Sequence, residues 1–179
     1  MSIKGYKKLI WVVFIVGILL TVALPRYYQS VEKKAAEQIY PQVKELTEAV
    51  RACRAAVGTD EVTECMFDDL HLKFLTSDGA LLTNSTLSAR NGNPTYLTDK
   101  WAIHKSVSGA GVDHYTFFRA PYAGTYFCGF DVNTQNGVCS AFANTSHPKG
   151  VKLMQSLGYA MTSAQAVANA SGNWRRLPC

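Results

Sequence analysis

One feature constrains this chain more than any other: an uncharged apolar run, Leu9–Leu24, whose sixteen residues include only one glycine and one threonine. As an α-helix the run would be about 24 Å long, against about 30 Å of bilayer hydrocarbon, so it is a short but usable transmembrane segment. Lys4, Lys7 and Lys8 precede it, and positive flanks stay on the cytoplasmic side of a membrane. We therefore expect a single-pass anchor with its N-terminus in the cytoplasm and the rest of the chain outside.

A helical pattern continues directly after the apolar run. Apolar residues recur every three or four positions with charged residues between them, as in a helix that buries one face. These apolar positions are Val31, Ala35, Ile39, Val43, Leu46, Val50 and Cys53. The helix is expected to end near Gly58. It is expected to bend near Pro25 and Pro41, because proline removes a backbone donor and clashes with the preceding turn.

A cleaved secretory signal is the alternative interpretation of the apolar run. A charged start followed by an apolar stretch is typical of such signals, and Thr21-Val22-Ala23 offers a cleavage site. A signal usually ends in a loop, whereas here the helical pattern continues at once after Pro25. This continuity favours an anchor that is retained.

The excess positive charge lies in the N-terminal segment alone. The net charge is +5, and residues 1–55 contain nine basic and four acidic residues, whereas residues 56–179 contain nine of each. A nucleic-acid-binding domain carries its excess on the folded body, so nucleic acid is not expected as a partner. A hydrophobic content of 47% with 17% charged residues also excludes a disordered chain and a multi-span membrane protein.

The N-terminal residues resemble those of a known family. Gly17 lies near the middle of the apolar run, which is followed by Pro25-Arg26-Tyr27-Tyr28 and then by Ala35-Ala36-Glu37. This arrangement is similar to the N-terminal helix of type IV pilins and type II secretion pseudopilins, closely in the helix and only in general plan beyond it. The resemblance implies that the apolar half-helix serves both membrane anchoring and helix assembly. The positions concerned are Leu9, Val13, Gly17, Leu20, Leu24 and Pro25.

The resemblance implies a structural subunit of the bacterial inner membrane. It would assemble with copies of itself, or with other pilin-like subunits and the assembly machinery, into a pilus at the cell surface or a pseudopilus in the periplasm. Adhesion, motility, DNA uptake and secretion stay open as roles. The alternative is a single-span, membrane-anchored periplasmic protein that does not polymerise.

The processing site departs from the family pattern, in which a glycine precedes the cleaved bond and a glutamate follows shortly after. Aligning Gly17 and Pro25 with the family places Ile3 at the glycine and Lys8 at the glutamate. The family glutamate neutralises a neighbour's amino terminus in a low-dielectric filament core, which a lysine does not do. This departure favours an unprocessed anchor, a position at a filament end, or a different pairing.

The pair Gly5-Tyr6 is the candidate processing site in this chain. It lies two residues closer to the apolar run than the family spacing requires, and it places Ile10 where the glutamate is expected. Cleavage and N-methylation at this pair stay open.

Beyond residue 58 the chain is expected to form a globular domain. Segments rich in aromatic and β-branched residues are separated by short turns, which implies antiparallel hairpins. The predicted strands are Tyr96–Val107, Asp113–Ala120, Thr125–Asp131 and Val138–Ala143. With one face on the amphipathic helix they give an α+β fold: a long N-terminal helix packed on a small antiparallel sheet. The chain then divides into a basic segment 1–8, a transmembrane half-helix 9–25, an amphipathic half-helix 26–58 and a globular domain 59–179.

Five aromatic or aliphatic residues of these strands are predicted to be buried: Trp101, Ile103, Tyr115, Phe117 and Phe127. Short helices are predicted near residues 62–70, 153–157 and 163–170. Trp174 and Leu177 are expected to anchor the last residues to the sheet.

Five cysteines outside a cytoplasmic membrane indicate oxidising surroundings. Cys128 and Cys139 flank the turn 131–137, which predicts a cross-strand disulfide. Cys53 and Cys65 are predicted to tie the helix end to the following loop. This pairing leaves Cys179 as a free terminal thiol or as the partner in an exchange or an intermolecular bond.

No catalytic or metal-binding motif stands out, so neither enzymatic activity nor a cofactor is expected. No two cysteines lie within four residues of each other, which argues against a zinc site. The four histidines are expected at the surface, although His104 and His114 have the spacing to oppose each other across a hairpin. The segment 131–137 has oxygen ligands at alternating positions, but it lacks the glycine and closing glutamate of a calcium loop, so a hairpin turn is the simpler interpretation.

Overall fold

The computed structural model describes residues 3–57, 65–87, 93–107, 113–121, 126–162, 167–168 and 173–179. The chain forms two compact units, Met1–Lys34 and Ala35–Cys179. The first unit is helical, with α1 over Ile3–Ile18, a π-helical turn over Leu19–Ala23, and the beginning of α2, which spans Leu24–Val57. The predicted long N-terminal helix is therefore present, and it ends one residue before Gly58.

In the second unit, α2 buries the amphipathic face that its sequence predicts. Ile39, Val43, Leu46 and Val50 of the predicted stripe are fully buried with Ala36 in one core cluster that includes residues of the sheet. The other predicted positions, Val31, Ala35 and Cys53, are half-buried. Burying a side chain of the size of valine or leucine contributes about 1.5–3 kcal/mol. This stripe therefore fixes which face of the helix meets the sheet.

The helix continues through Pro41, which lies on the exposed face of α2. A proline inside a helix removes one backbone hydrogen bond. On the exposed face, water can satisfy the carbonyl that loses its partner. The helix therefore continues at this position, and the bend expected near Pro41 stays a prediction.

Within the described ranges, seven strands form one sheet in the order β1-β2-β3-β4-β5-β7-β6, and every neighbouring pair is antiparallel. The strands are β1 Thr95–Tyr96, β2 Trp101–Val107, β3 Asp113–Arg119, β4 Cys128–Asn133, β5 Cys139–Asn144, β6 Val167–Ala168 and β7 Trp174–Pro178. A helix, α3, spans Pro148–Ser156. The predicted α+β class with an antiparallel sheet is confirmed.

The strand predicted over Tyr96–Val107 is two strands in the structure. Residues 97–100 form a tight connection between β1 and β2, in which the backbone N–H of Leu97 donates to the carbonyl of Trp101 at 2.8 Å. The hydroxyl of Thr98 accepts a hydrogen bond from the Trp101 N–H at 3.0 Å. A threonine hydroxyl that bonds to a backbone N–H a few residues away favours a turn over a continuing strand.

The C-terminal region differs most from the sequence prediction. The helix predicted over 163–170 is wrong where it can be compared, because Val167–Ala168 is strand β6, and the remaining residues of that range lie outside the described chain. Residues 174–178 form β7, which pairs with β5 from Ser140 to Asn144. The helix predicted near 153–157 is present as α3 but begins earlier, at Pro148.

The helix predicted near 62–70 is reduced to a single 3₁₀ turn, Phe67–Leu70, with residues 62–64 outside the described chain. The turn stops because His71 takes a left-handed conformation, with φ of 53°. The carboxylate of Asp69 accepts a hydrogen bond from the backbone N–H of Met66 at 2.9 Å. That hydrogen bond stabilises a single turn and does not extend it into a longer helix.

Four of the five predicted core residues are confirmed, since Trp101, Ile103, Tyr115 and Phe117 are fully buried. Phe127 is the exception, because it is only half-buried and precedes β4 with a φ of 42°. Its ring lies against Trp174, at 4.4 Å between centroids. Among the residues that occupy the core in its place is Phe130, which is fully buried.

The two predicted tail anchors do contact the sheet. Trp174 is half-buried against a second apolar cluster, and Leu177 packs against the main core. The second cluster lies on the face of the sheet opposite the main core, because its residues alternate with core residues along the strands. It consists of Ala102, Phe118, Ala120 and Phe142.

Candidate membrane and assembly segment

The apolar segment Leu9–Leu24 is exposed along its whole length. Its two aromatic residues illustrate the extent, since Trp11 is 65% exposed and Phe14 is 58% exposed. Soluble monomers rarely expose a contiguous apolar surface larger than a few hundred Å². The helix Tyr6–Val57 that contains this segment is long and apolar enough to cross a membrane. The exposed surface therefore has the composition of one that contacts lipid or other apolar helices.

The six predicted anchoring and assembly positions lie on two helices and the turn between them. Leu9, Val13 and Gly17 follow one another at four-residue spacing within α1, so they share one side of that helix. Leu20 lies in the π turn, and Leu24 and Pro25 open α2. Because π-helical hydrogen bonds reach one residue further than α-helical ones, the regular stripe does not continue unchanged past Gly17.

Gly17 leaves an indentation on the surface of α1. A Cβ atom placed at this glycine would have no heavy atom within 4 Å, counting side chains and the backbone beyond its own turn. The glycine therefore relieves no clash within the described chain. Small residues on membrane helices let a second helix approach closely, which is a role that an open indentation can serve.

The π turn, Leu19–Ala23, ends two residues before Pro25. A proline cannot donate to the carbonyl four residues before it and clashes with that carbonyl. Membrane helices accommodate proline through local π adjustments and threonine side chains. Both are found here, because the hydroxyl of Thr21 donates to the carbonyls of Gly17 at 3.0 Å and Ile18 at 3.1 Å. The one hydroxyl of the apolar segment is thus satisfied within the helix.

Charged and aromatic residues bound the apolar segment on both sides. Lys7 and Lys8 are exposed before it, and Arg26 is exposed after it. Tyr27 and Tyr28 follow and are 64% and 61% exposed. Tyrosines at this position are typical of the membrane–water interface, and long basic side chains reach from the hydrocarbon edge to the headgroups.

The candidate processing pair lies inside the first helix. Helix α1 begins at Ile3, so Gly5 and Tyr6 both have helical backbone conformation. Tyr6 is 66% exposed. The pair thus lies in a helix about one turn before the apolar segment. Its cleavage by a peptidase stays open.

One predicted disulfide is present in the second unit. Cys53 near the end of α2 bonds to Cys65, with 5.8 Å between their Cα atoms. The bond ties the last turn of α2 to the chain before the 3₁₀ turn. Cys65 is nearly fully buried and has a left-handed backbone, with φ of 69°.

The predicted Cys128–Cys139 disulfide is wrong, because Cys139 bonds to Cys179. In the β4–β5 ladder Cys128 is opposite Ala143 and Cys139 is opposite Val132, so the two cysteines lie at opposite ends of the hairpin. A cross-strand disulfide needs Cα atoms about 4.4–6.8 Å apart, whereas four residues along a strand span about 13 Å. The prediction that left Cys179 unpaired is also wrong, because Cys179 is the partner of Cys139. Cys128 is a buried thiol outside both disulfides.

The segment 131–137, considered above as a calcium loop, contains the β4–β5 turn and docks on α2. Nε of Arg54 donates to the carbonyl of Thr134 at 2.8 Å, and Nε of Arg51 donates to the carbonyl of Gly137 at 3.0 Å. Carbonyl oxygens that a cation would need therefore accept hydrogen bonds from two guanidinium groups. The hairpin-turn interpretation explains this geometry, and the turn locks the sheet to the helix.

The histidines do not converge. His104 is opposite Thr116 in the β2–β3 ladder, and His114 is opposite Ser106, so the predicted opposition is wrong. His104 is also buried, at 2% exposure, where a surface position was expected. Over the described ranges, no three His, Cys, Asp or Glu side chains are grouped to hold a metal ion.

Tyr159, which follows α3, meets α2 through a tyrosine pair. Burial and a hydrogen bond with the Tyr40 side chain together raise the pKa of Tyr159 well above the ordinary value of 10.0. The ring of Tyr159 also packs against Phe130, at 5.8 Å between centroids. This pair adds a further polar contact of α2 to those that the two arginines make, beside the apolar packing of its buried face.

Comparison with protein-family models, with curated protein sequences and with solved structures found no match for this chain.

Proposed function

We propose that this chain is a type IV pilin-like structural subunit. It is anchored in the inner membrane by its N-terminal helix, and it assembles into an extracellular or periplasmic filament, a pilus or a secretion pseudopilus. The observation that supports the proposal most directly is the apolar segment Leu9–Leu24, which is exposed throughout although the rest of the chain has a well-formed core. A surface of this kind needs an apolar environment, which lipid supplies before assembly and neighbouring helices supply after it.

The same residues serve both states of the proposed subunit. In the membrane their side chains contact acyl chains, and close packing between helices then depends on small residues such as Gly17. In a filament outside the membrane, burying each large apolar side chain against neighbours contributes about 1.5–3 kcal/mol. The association energy therefore comes from the apolar surface of Leu9–Leu24, which a single subunit leaves exposed.

The geometry of such an assembly is head-to-tail. The surface of one copy contacts a different surface of the next, and contacts of this type give open filaments when the rotation does not close. The second unit then forms the outer coat. Its two disulfides, Cys53–Cys65 and Cys139–Cys179, suit a domain that works in oxidising surroundings outside the cytoplasm.

The alternative is a membrane-anchored periplasmic protein that does not polymerise. Lys8 favours it, since this residue stands where the resemblance expects a glutamate that neutralises a neighbour's amino terminus. An unneutralised charge in a filament core is costly. N-terminal sequencing of the protein from cells separates the two, because an uncleaved start supports the alternative and a start at Tyr6 supports processing and assembly.

The filament role is tested by shearing fibres from cells that produce the full chain. Negative-stain microscopy and peptide mass spectrometry of the fibre fraction are expected to show filaments that contain this chain. A Gly17→Leu variant, whose side chain would fill the indentation of α1, is expected to stay in the membrane and to leave fewer fibres. Ile18→Leu on the neighbouring exposed position is the matched control. Recovery of the wild-type chain only from membranes, never from fibres, contradicts the filament role.

A further inference from the structure

The basic residues on both sides of the apolar segment define how much hydrocarbon it can span. Lys8 and Arg26 are both exposed, and the residues between them carry no charge. The sixteen residues Leu9–Leu24 cover about 24 Å at α-helical rise. A π turn places more residues in each turn than an α-helix does. The π turn at Leu19–Ala23 therefore does not lengthen the segment beyond about 24 Å.

An average bilayer has a hydrocarbon core of about 30 Å, and about 20 apolar residues are needed to cross it. A shorter segment is accommodated by local thinning of the bilayer or by side chains that snorkel, at a cost of a fraction of a kcal/mol per Å of mismatch. Snorkelling by Lys8 and Arg26 recovers part of the difference. Tyr27 and Tyr28, both exposed directly after Arg26, mark the position of the second interface.

We propose that the lipid partner of this segment is a thin bilayer, one whose acyl chains are shorter than average. This inference rests on the proposed membrane anchorage and is independent of filament formation. In a bilayer of average thickness the segment is shorter than the hydrocarbon core. Its insertion into that bilayer is therefore less favourable than the insertion of a full-length transmembrane helix. A thin bilayer removes this mismatch, and the segment then inserts with both basic boundaries at the headgroups.

The test measures how the purified full chain distributes between vesicles that differ only in acyl-chain length. Dimyristoleoyl-, dioleoyl- and dierucoyl-phosphatidylcholine supply thin, average and thick bilayers with one headgroup, and flotation separates bound from free protein. We expect about three- to tenfold stronger partitioning into the thin bilayer than into the average one. The thick bilayer should bind the least protein.

A lengthened segment supplies the decisive comparison. Arg26→Leu extends the apolar run from Leu9 through Tyr28, to about 30 Å, with polar residues from Gln29 onward, and is expected to move the preference to the dioleoyl bilayer. Lys149→Leu is the matched control, because Lys149 is exposed on α3 in the second unit and its replacement removes the same charge. This control should keep the wild-type preference.

Equal partitioning into all three lipids overturns the inference, and so does an Arg26→Leu variant that behaves as the wild type. A chain that binds none of the vesicles overturns the anchorage as well. Fibres that lack the chain, found together with a clear preference for the thin bilayer, would instead contradict only the filament role.

Discussion

A single arginine at the centre of the apolar segment is expected to weaken the insertion of the chain into the membrane. Val16 is the central position, is 46% exposed and lies in the N-terminal unit. The segment contains twelve leucine, isoleucine, valine and phenylalanine residues, which at about 0.3–0.6 kcal/mol each favour insertion by about 4–7 kcal/mol. An arginine at the centre costs about 2.5–3.5 kcal/mol in addition to the lost valine.

The substitution therefore removes about 3–4 kcal/mol of insertion free energy, a factor of about 10²–10³ in the insertion equilibrium. The measurement is the fraction of chain that stays in membranes after an alkaline wash, compared with wild type. Leu9→Arg is the matched control, because a charge beside Lys8 at the segment edge can reach the headgroups and should cost far less. Retention of Val16→Arg at the wild-type level, or equal release of both variants, would refute the assignment of this segment to the membrane.

Three further predictions concern the second unit. Replacing Cys139 and Cys179 together by alanine opens a loop of 40 residues and should lower the free energy of unfolding by about 4 kcal/mol in a denaturant titration; no loss would contradict the pairing. Because the pKa of Tyr159 is raised in the folded state, stability should fall as the pH rises above 10.0, and Tyr159→Phe should flatten that fall; an identical pH dependence in both proteins would contradict the buried pair. Gly137 has φ of 62° and its missing Cβ faces Arg51, so Gly137→Ala should cost about 1–3 kcal/mol in the same titration; a neutral effect would show that the turn is not docked as described.

The parts of the fold that depend on periodicity could be predicted from the sequence. The stripe that includes Ile39, Val43 and Leu46 is fully buried, as its helical spacing indicates. Strands β3 and β5 lie within a residue of their predicted bounds, β3 because it is an aromatic-rich run and β5 because it follows the turn that Asn133 and Gly137 close. Local patterns of this kind carry their own signal and need no knowledge of distant partners.

The elements that depend on distant pairing could not be predicted. Residues Trp174–Pro178 have two arginines and a proline and no strand-like alternation, and they become β7 by pairing with β5. The disulfide partner of Cys139 follows from that pairing, because β7 brings Cys179 beside it. Neither the partner strand nor its register can be read from the spacing of the cysteines.

The candidate membrane segment itself was predictable, whereas its internal structure was not. Uncharged composition identifies Leu9–Leu24 without any tertiary information. The π turn ends two residues before Pro25, and the Thr21 hydroxyl within it donates to the carbonyl of Gly17. A bend was the response expected at this proline, and it stays a prediction, because a π turn does not exclude it.

In the proposed role, the exposed apolar segment contacts lipid before assembly and other copies of the chain after it. A photo-crosslinking amino acid placed at Val13 tests this directly, since Val13 is 64% exposed on α1, and Leu75 on the second unit serves as the control position. We predict lipid adducts of the Val13 probe in membranes and covalent dimers through Val13 in the fibre fraction. Lipid adducts in membranes with no dimer through Val13 in any fraction would contradict assembly through this segment, and the absence of both products would contradict its placement in the membrane.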